Sequence, residues 1–336
     1  MSAETKTRNI EPLNKSTGMN TKRPIVAMIY DFDGTLAPGN MQEYDFLKEI
    51  GVTDKEEFWR ECRAMSKKQD ASEILCMMKM MNDKSNNPNH PIPITRKSFA
   101  KFGASIPLFK GVREWFELTR RLGDEMGLQI EHYINSSGLT EMIEGSPIAH
   151  EFKHIYANRF MYDDNGFAIW PAAAIDFTSK IQIISMINKG VEQISDNKEI
   201  NNFMAMSERR ISFRHMIYFG DGLTDIPSMK FLRAEGGFAI AIYTPEHEQH
   251  TLDLVERNII NFACKADYSK DEALYNTVKA IFEHIKAVDN FNHLEITNIR
   301  EAKDGTLTGD RSEPQAAVVQ TESKLRKRLH FNLFNR

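Results

Sequence analysis

The sequence predicts an α/β fold, a mostly parallel sheet covered by helices on both faces, and three observations carry that prediction. An apolar run from Ile25 to Tyr30 stops abruptly at an acidic loop, DFDGT. A second run, Met216 to Phe219, stops in the same way at GDGLTD. Strand-like runs then alternate with amphipathic ones along most of the chain, with polar loops at the strand ends. Uninterrupted apolar runs mark strands buried on both faces of a parallel sheet. Their alternation with helices puts helical layers on both sides of it, and ligands bind at the carboxyl ends of such strands.

Composition narrows the class of protein further. A chain of 336 residues, 41% of them hydrophobic, can bury a sizeable core in one large or two medium domains. A formal charge of −4 supplies no basic field, so nucleic acid is not an expected partner. Cys62, Cys76 and Cys264 are odd in number and widely spaced, which argues against a disulfide framework and fits a reducing compartment. No stretch approaches the roughly eighteen consecutive apolar residues of a membrane span. The first 23 residues lack the apolar centre of a secretory signal. Cytoplasm is the expected location, and nothing in the sequence speaks to oligomeric state.

In chain order, residues 1–23 are polar and aperiodic, as in a disordered arm. After the first strand and its loop, residues 41–105 are helical in pattern, with Thr53 and Asp54 as possible caps and a break at NDKSNNPNHPIP. Residues 111–126 place Val112, Trp115, Leu118 and Leu122 on one helical stripe. A short strand, LQIEHYIN, leads to Ser136, Ser137 and Gly138; a helix is expected from Thr140 to about His154. YANRFMYDDNGFAIW then reads as a hairpin turning at Asp164, Asn165 and Gly166. A helix over 178–189, strands HMIYFG, GFAIAIY and FACKADY, and an amphipathic helix over 271–288 complete the pattern. From about Asn290 the chain turns polar, ending in a basic stretch with interleaved apolar residues.

The chemistry is concentrated in the two acidic loops. Asp31 and Asp33 flank Phe32 and in an extended segment point the same way. Two such carboxylates are costly together unless a cation or a shared proton relieves them. Gly34 permits a tight turn, and Thr35 can hydrogen-bond within it. Asp221 and Asp225 repeat the theme after the second strand; alone they fit a turn and helix cap equally well, but two acid-bearing strand ends are hard to attribute to coincidence. Ser136 follows a strand and has Ser137 and Gly138 to offer backbone N–H groups to an anion, against the plainer reading of a helix cap. Lys180 follows the hairpin and opens a helix; in isolation it reads as a solvated surface lysine.

DFDGT, INSSGLTEMI, YANRF and GDGLTDIPSM, in this order, resemble the motifs of the haloacid dehalogenase superfamily, and within it the C1-capped branch that includes phosphoserine phosphatase. The resemblance covers about residues 24–289. It implies a Rossmann-like three-layer α/β/α core from residues 24–39 and 107–289 and a helical C1 cap from 40–106, while the polar composition of 290–336 reads as a flexible tail. It also implies hydrolysis of a small-molecule phosphomonoester through an aspartyl-phosphate. Asp31 would be the nucleophile and Asp33 the acid and base. Mg2+ would sit on Asp31, the backbone carbonyl of Asp33, and Asp221, with Asp225 beside it; Ser136, Ser137 and Lys180 would hold the phosphoryl group. Two departures bear on substrate. Where that branch carries a cap glutamate this chain has Gly39, Asn40 and Met41, and where it carries a carboxylate-binding arginine the cap run EILCMMKMM offers only Lys79. A phosphate ester other than L-phosphoserine is therefore expected, with phosphoserine phosphatase proper as the alternative.

Two rival readings come from other classes. His150, Glu151 and His154 spell H-E-x-x-H, which on a helix would put both histidines on one face as a zinc metalloprotease requires. Against it, a hairpin follows at once and no helix offers a third ligand, so solvated histidines are the plainer reading. The other rival is a non-catalytic binding protein on the same fold. Such a protein would usually have lost one of the acids, and all are present.

Overall fold

The computed structural model describes residues 23–88, 91–206 and 208–305. Seven strands form one sheet in the order β4-β3-β2-β1-β5-β6-β7. They are β1 (Ile25–Tyr30), β2 (Gln129–Leu139), β3 (His154–Tyr162), β4 (Ala168–Ala173), β5 (Met216–Gly220), β6 (Phe238–Tyr243) and β7 (Phe262–Lys265). All pairings are parallel except β3 with the edge strand β4, which form the expected hairpin. Four helices are inserted after β1: α1 (Phe46–Glu49), α2 (Lys55–Gln69), α3 (Glu73–Ser85) and α4 (Arg96–Gly103). The others are α5 (Val112–Glu125), α6 (Thr140–Gly145), α7 (Ser179–Lys189), α8 (Asn197–Asn201), α9 (Ile226–Ala234), α10 (Glu248–Glu256) and α11 (Ala273–Asp304).

Strand β1 is apolar without interruption because it is central. Val26, Met28 and Tyr30 face one hydrophobic cluster, Ala27 and Ile29 the other, and all five are fully buried. Helix α5 closes the first cluster with Val112, Trp115, Phe116 and Leu122. Its Trp115 indole donates to the Tyr30 hydroxyl at 2.9 Å, and that hydroxyl lies 3.2 Å from His132 Nδ1. The Tyr30 ring stacks on Phe219 of β5 at 4.6 Å. The strand bearing the acidic loop is thus clamped by its neighbours on both sides.

His132 carries a pH prediction. Burial, reinforced by the nearby Arg120 charge, lowers its pKa from 6.5 to about 3. Between those values the unfolded chain binds a proton that the folded chain refuses. The histidine therefore opposes folding progressively as pH falls below 6.5, by about 1.4 kcal/mol per pH unit, and not above it. His132→Gln is expected to flatten the fall of melting temperature between roughly pH 6 and 4. An unchanged slope would show that this histidine is not desolvated as described.

The structure departs from the sequence reading in three places. The helix expected over 140–154 ends at Gly145, since Pro147 forces Ser146 into extended backbone with ψ 153°. A single 3₁₀ turn, Ala149–Glu151, follows, and β3 begins at His154. Strand β2 runs four residues past Asn135, carrying Ser136–Leu139 within it. The last helix continues beyond Val288 to Asp304, with Ile296 buried, so residues 290–304 are helical where a flexible tail is expected. The rest of that tail and the N-terminal arm up to residue 22 lie outside the described residues.

The helical insertion is fastened to the sheet at its far end. A Cβ on Gly103 of α4 would lie 1.9 Å from the Met142 carbonyl oxygen of α6, and one on Gly145 would lie 2.0 Å from that of Ala100, so only glycine allows this approach. The Ala168 N–H donates to the Ile94 carbonyl at 2.8 Å. Among the described residues no helix is long and apolar enough to cross a membrane.

Candidate active site

Strand pairing assembles the site. Tyr30 lies opposite both Ile134 and Phe219, so Asp31 and Asp221 leave β1 and β5 beside Ser136 of β2. Asp31 prolongs the ladder, donating its N–H to the Phe219 carbonyl at 2.9 Å, and its Oδ1 accepts from the Phe32 N–H at 2.7 Å. The loop then folds tightly: the Leu36 and Ala37 N–H groups both donate to the Phe32 carbonyl, at 2.9 and 3.1 Å. Gly34 has φ 71°, and a Cβ there would fall 2.0 Å from Asp221 Oδ2. Glycine is thus required twice over, by backbone conformation and by the carboxylate in the space a side chain would fill.

Lys180 sits at the centre of the acids. Helix α7 delivers it from its first turn, after Asp176 Oδ1 has accepted the N–H groups of Thr178 and Ser179 at 2.9 and 3.0 Å. Asn135 holds the same turn by donating to the Lys180 carbonyl at 2.9 Å. The ammonium, 0% exposed, donates to Asp31 Oδ2 at 2.9 Å and to Asp225 Oδ1 at 2.7 Å. Burial works against its charge, but Asp225 and Asp31 outweigh it and hold the pKa above the ordinary lysine range. Asp225 is also fully buried and accepts from the Tyr218 hydroxyl at 2.7 Å. Burial pushes Asp225 up to about 6 against the pull of Lys180.

Asp33 and Asp221 differ from Asp225 in having no such cation in contact. Burial, then the charge of Asp31, raises Asp33 well above the carboxylate range, although the Met41 N–H donates to its Oδ1 at 2.9 Å. Burial and the charges of Asp31 and Asp225 do the same for Asp221. Carboxylate oxygens of Asp31, Asp221 and Asp225 lie within 4.8 Å of one another. An all-oxygen set with an excess of negative charge suits a hard divalent cation.

Ser136 is fully buried and its Oγ accepts from the Gly138 N–H at 3.0 Å, shaping the irregular end of β2 beside Asp31. Ser137 turns its hydroxyl away, donating to the Ile175 carbonyl at 2.8 Å and tying β2 to the approach of α7. The structure therefore brings Asp31, Asp33, Ser136, Lys180, Asp221 and Asp225 to one place, with Ser137 at its margin. Tyr218 and Met41 were missed by sequence reasoning. Tyr218, a hydroxyl-bearing residue within the apolar β5 run, was a readable signal; Met41 gave none for its contact with Asp33.

His150, Glu151 and His154 do not make a metal site. The 3₁₀ turn and strand that replace the expected helix separate the two histidines. The His150 side chain is 75% exposed beside Glu151, whose other oxygen accepts from Arg120 at 2.6 Å, and His154 packs on the Tyr156 ring at 4.3 Å. Among the described residues, the acidic trio is the group placed to hold a metal ion.

The sequence model of the haloacid dehalogenase-like hydrolases matches residues 28–230. An uncharacterized protein of Borreliella burgdorferi is 28% identical over 291 residues, covering 77% of this chain and 97% of its own. Among solved structures, the chain is similar to a substrate-bound phosphoserine phosphatase complex, at 14% identity over 77% of this chain and 99% of that one, with a TM-score of 0.46. It is similar also to a cytosolic 5'-nucleotidase IIIB bound to cytidine, at 15% identity over 79% and 87% of the two chains, with a TM-score of 0.46.

Proposed function

The chain belongs to the haloacid dehalogenase-like hydrolases, and from that premise we propose that it is a phosphatase for a small phosphomonoester, working through a phosphoaspartate on Asp31. The observation that carries the proposal is the contrast between two adjacent carboxyls. Asp31 is held by the buried Lys180 ammonium, while desolvation and the neighbouring Asp31 charge raise Asp33 well above the ordinary carboxylate range, towards the protonated form. One is a nucleophile and the other an acid, separated by environment alone.

In the first half of the reaction a carboxylate oxygen of Asp31 attacks phosphorus in line. The bond to the leaving oxygen breaks, and Asp33 gives that oxygen its proton. In the second half the now ionised Asp33 takes a proton from water, whose oxygen attacks phosphorus and releases Asp31 with inorganic phosphate. Lys180 balances charge on the phosphoryl oxygens, and Ser136 at the irregular end of β2 positions them. Asp31, Asp221 and the Asp33 backbone carbonyl would hold Mg2+, with Asp225 in support, and the ion would offset charge on the phosphoryl group. Exhaustive chelation is expected to lower turnover at least about a hundred-fold, with recovery on adding Mg2+. Full activity without metal would refute this part of the proposal.

The helical insertion, read as a cap, supports a narrow substrate class. A cap over the acid pair excludes water and macromolecules. Lys79 does not stand in for an arginine that grips a carboxylate, because it is largely exposed and paired with Asp83 at 2.6 Å. Asn40 spends its amide on Glu43 at 2.6 Å. We therefore expect a phosphorylated metabolite without an amino-acid head. A screen of phosphorylated metabolites with Mg2+ tests this, and L-phosphoserine as clearly the best substrate would overturn it.

A further inference from the structure

We propose that Met41 is a positioning residue for proton transfer by Asp33, its thioether pinned to the irregular end of β2 and its backbone N–H aimed at the acid. The inference rests on the phosphatase reading above.

Met41 opens the 3₁₀ turn Met41–Glu43, the first structure of the helical insertion. An N–H at the start of a helix has no acceptor within it and must find one elsewhere. This one donates to Asp33 Oδ1 at 2.9 Å. The side chain runs the other way. Its Sδ accepts from the Leu139 N–H at 3.1 Å, and the residue is 1% exposed. A Cβ on Gly138 would lie 2.1 Å from Met41 Cε and 2.9 Å from Sδ, so glycine there makes the room into which the thioether fits. A flexible, polarisable thioether suits this place, filling an irregular gap while accepting weakly from an N–H.

Met41 is thus held at both ends, by the core strand that carries Ser136 and by the acid itself. The consequence lies in the geometry of Asp33, whose carboxyl stands on a loop and must present one oxygen to the leaving group. With Oδ1 occupied by the Met41 N–H, Oδ2 is left to carry the proton. That proton passes to the leaving oxygen as the P–O bond breaks, and Oδ2 later recovers one from water. Because Met41 begins the insertion, the acid is oriented only while the insertion is seated on Ser136–Leu139 at the end of β2.

Two substitutions separate the N–H from the side chain. Met41→Ala keeps the N–H and loses the anchor, while Met41→Pro loses both. Proline suits the first position of a helical turn, and Asn40 before it is already extended, with φ −90° and ψ 135°. The measurement is kcat/KM of the full chain with Mg2+ on phosphate esters of increasingly basic leaving groups. 4-Nitrophenolate departs with little help, whereas phenolate needs a proton. Met41→Pro is expected to lose about 10- to 100-fold on phenyl phosphate and less than about three-fold on 4-nitrophenyl phosphate, with Met41→Ala between it and wild type. The dependence on leaving group is a ratio within one preparation, so a partly unfolded fraction cancels from it. If Met41→Pro shows the wild-type dependence while wild type turns over both esters, the positioning role is wrong and the phosphatase reading stands. If wild type turns over no phosphomonoester, that reading fails and takes this inference with it.

Discussion

Asp31→Asn is expected to lower turnover of a generic aryl phosphate by roughly a thousand-fold or more while leaving the protein folded. The amide matches the carboxylate in shape but is no nucleophile towards phosphorus. The cost to the fold should be small because two effects oppose. Lys180 loses one of its two carboxylate partners but keeps Asp225 at 2.7 Å. Asp33 and Asp221, both raised by burial and by the Asp31 charge, lose a repulsive neighbour. A melting temperature close to wild type with turnover abolished is the expected pair of results. Wild-type turnover in this variant would end the nucleophile assignment.

Lys180→Met should damage both activity and stability. The methionine keeps most of the buried stem and removes the ammonium that lies against Asp31 and Asp225. Removing one partner of a buried ion pair leaves an uncompensated charge, a loss of about 3–5 kcal/mol. Turnover should fall about a hundred-fold or more, since charge on the phosphoryl oxygens loses a fixed cation. The stability deficit should shrink as pH falls, because protonating Asp225, already raised to about 6 by burial, removes the charge that has lost its partner. Thermal melts across pH check this, and a variant as stable as wild type at neutral pH would show that Lys180 does not neutralise the cluster.

The sheet was legible because burial on both faces forces a continuous apolar run, and Ile25–Tyr30 has no polar interruption before Asp31. The acidic loops were legible for the converse reason: carboxylates in pairs at strand ends are expensive, and Gly34 directly after Asp33 signals backbone under constraint. Lys180 was less so. On its own it reads as a surface lysine, and only the order of motifs marked it, whereas in the fold it is wholly buried. The helix wrongly expected across 140–154 hid a readable stop, since Pro147 excludes helical backbone at Ser146. The extension of α11 to Asp304 was not readable, because its last turns carry few apolar residues and Ile296 is buried by tertiary packing. Met41 was legible only as part of the departure from the related branch's cap glutamate, and its contact with Asp33 was not. Its role depends on a backbone N–H and on the room left by Gly138, almost a hundred residues away.

The central claim is that the phosphoryl group passes through Asp31. Wild-type protein with Mg2+ should be mixed with a phosphomonoester it turns over, labelled in the phosphoryl group, quenched in acid within the first turnovers, and digested. The account predicts label on the peptide bearing Asp31, removable by hydroxylamine as an acyl phosphate, and absent from Asp31→Asn. Label on a different residue, or none on protein quenched while its first turnovers release phosphate at the wild-type rate, would contradict it.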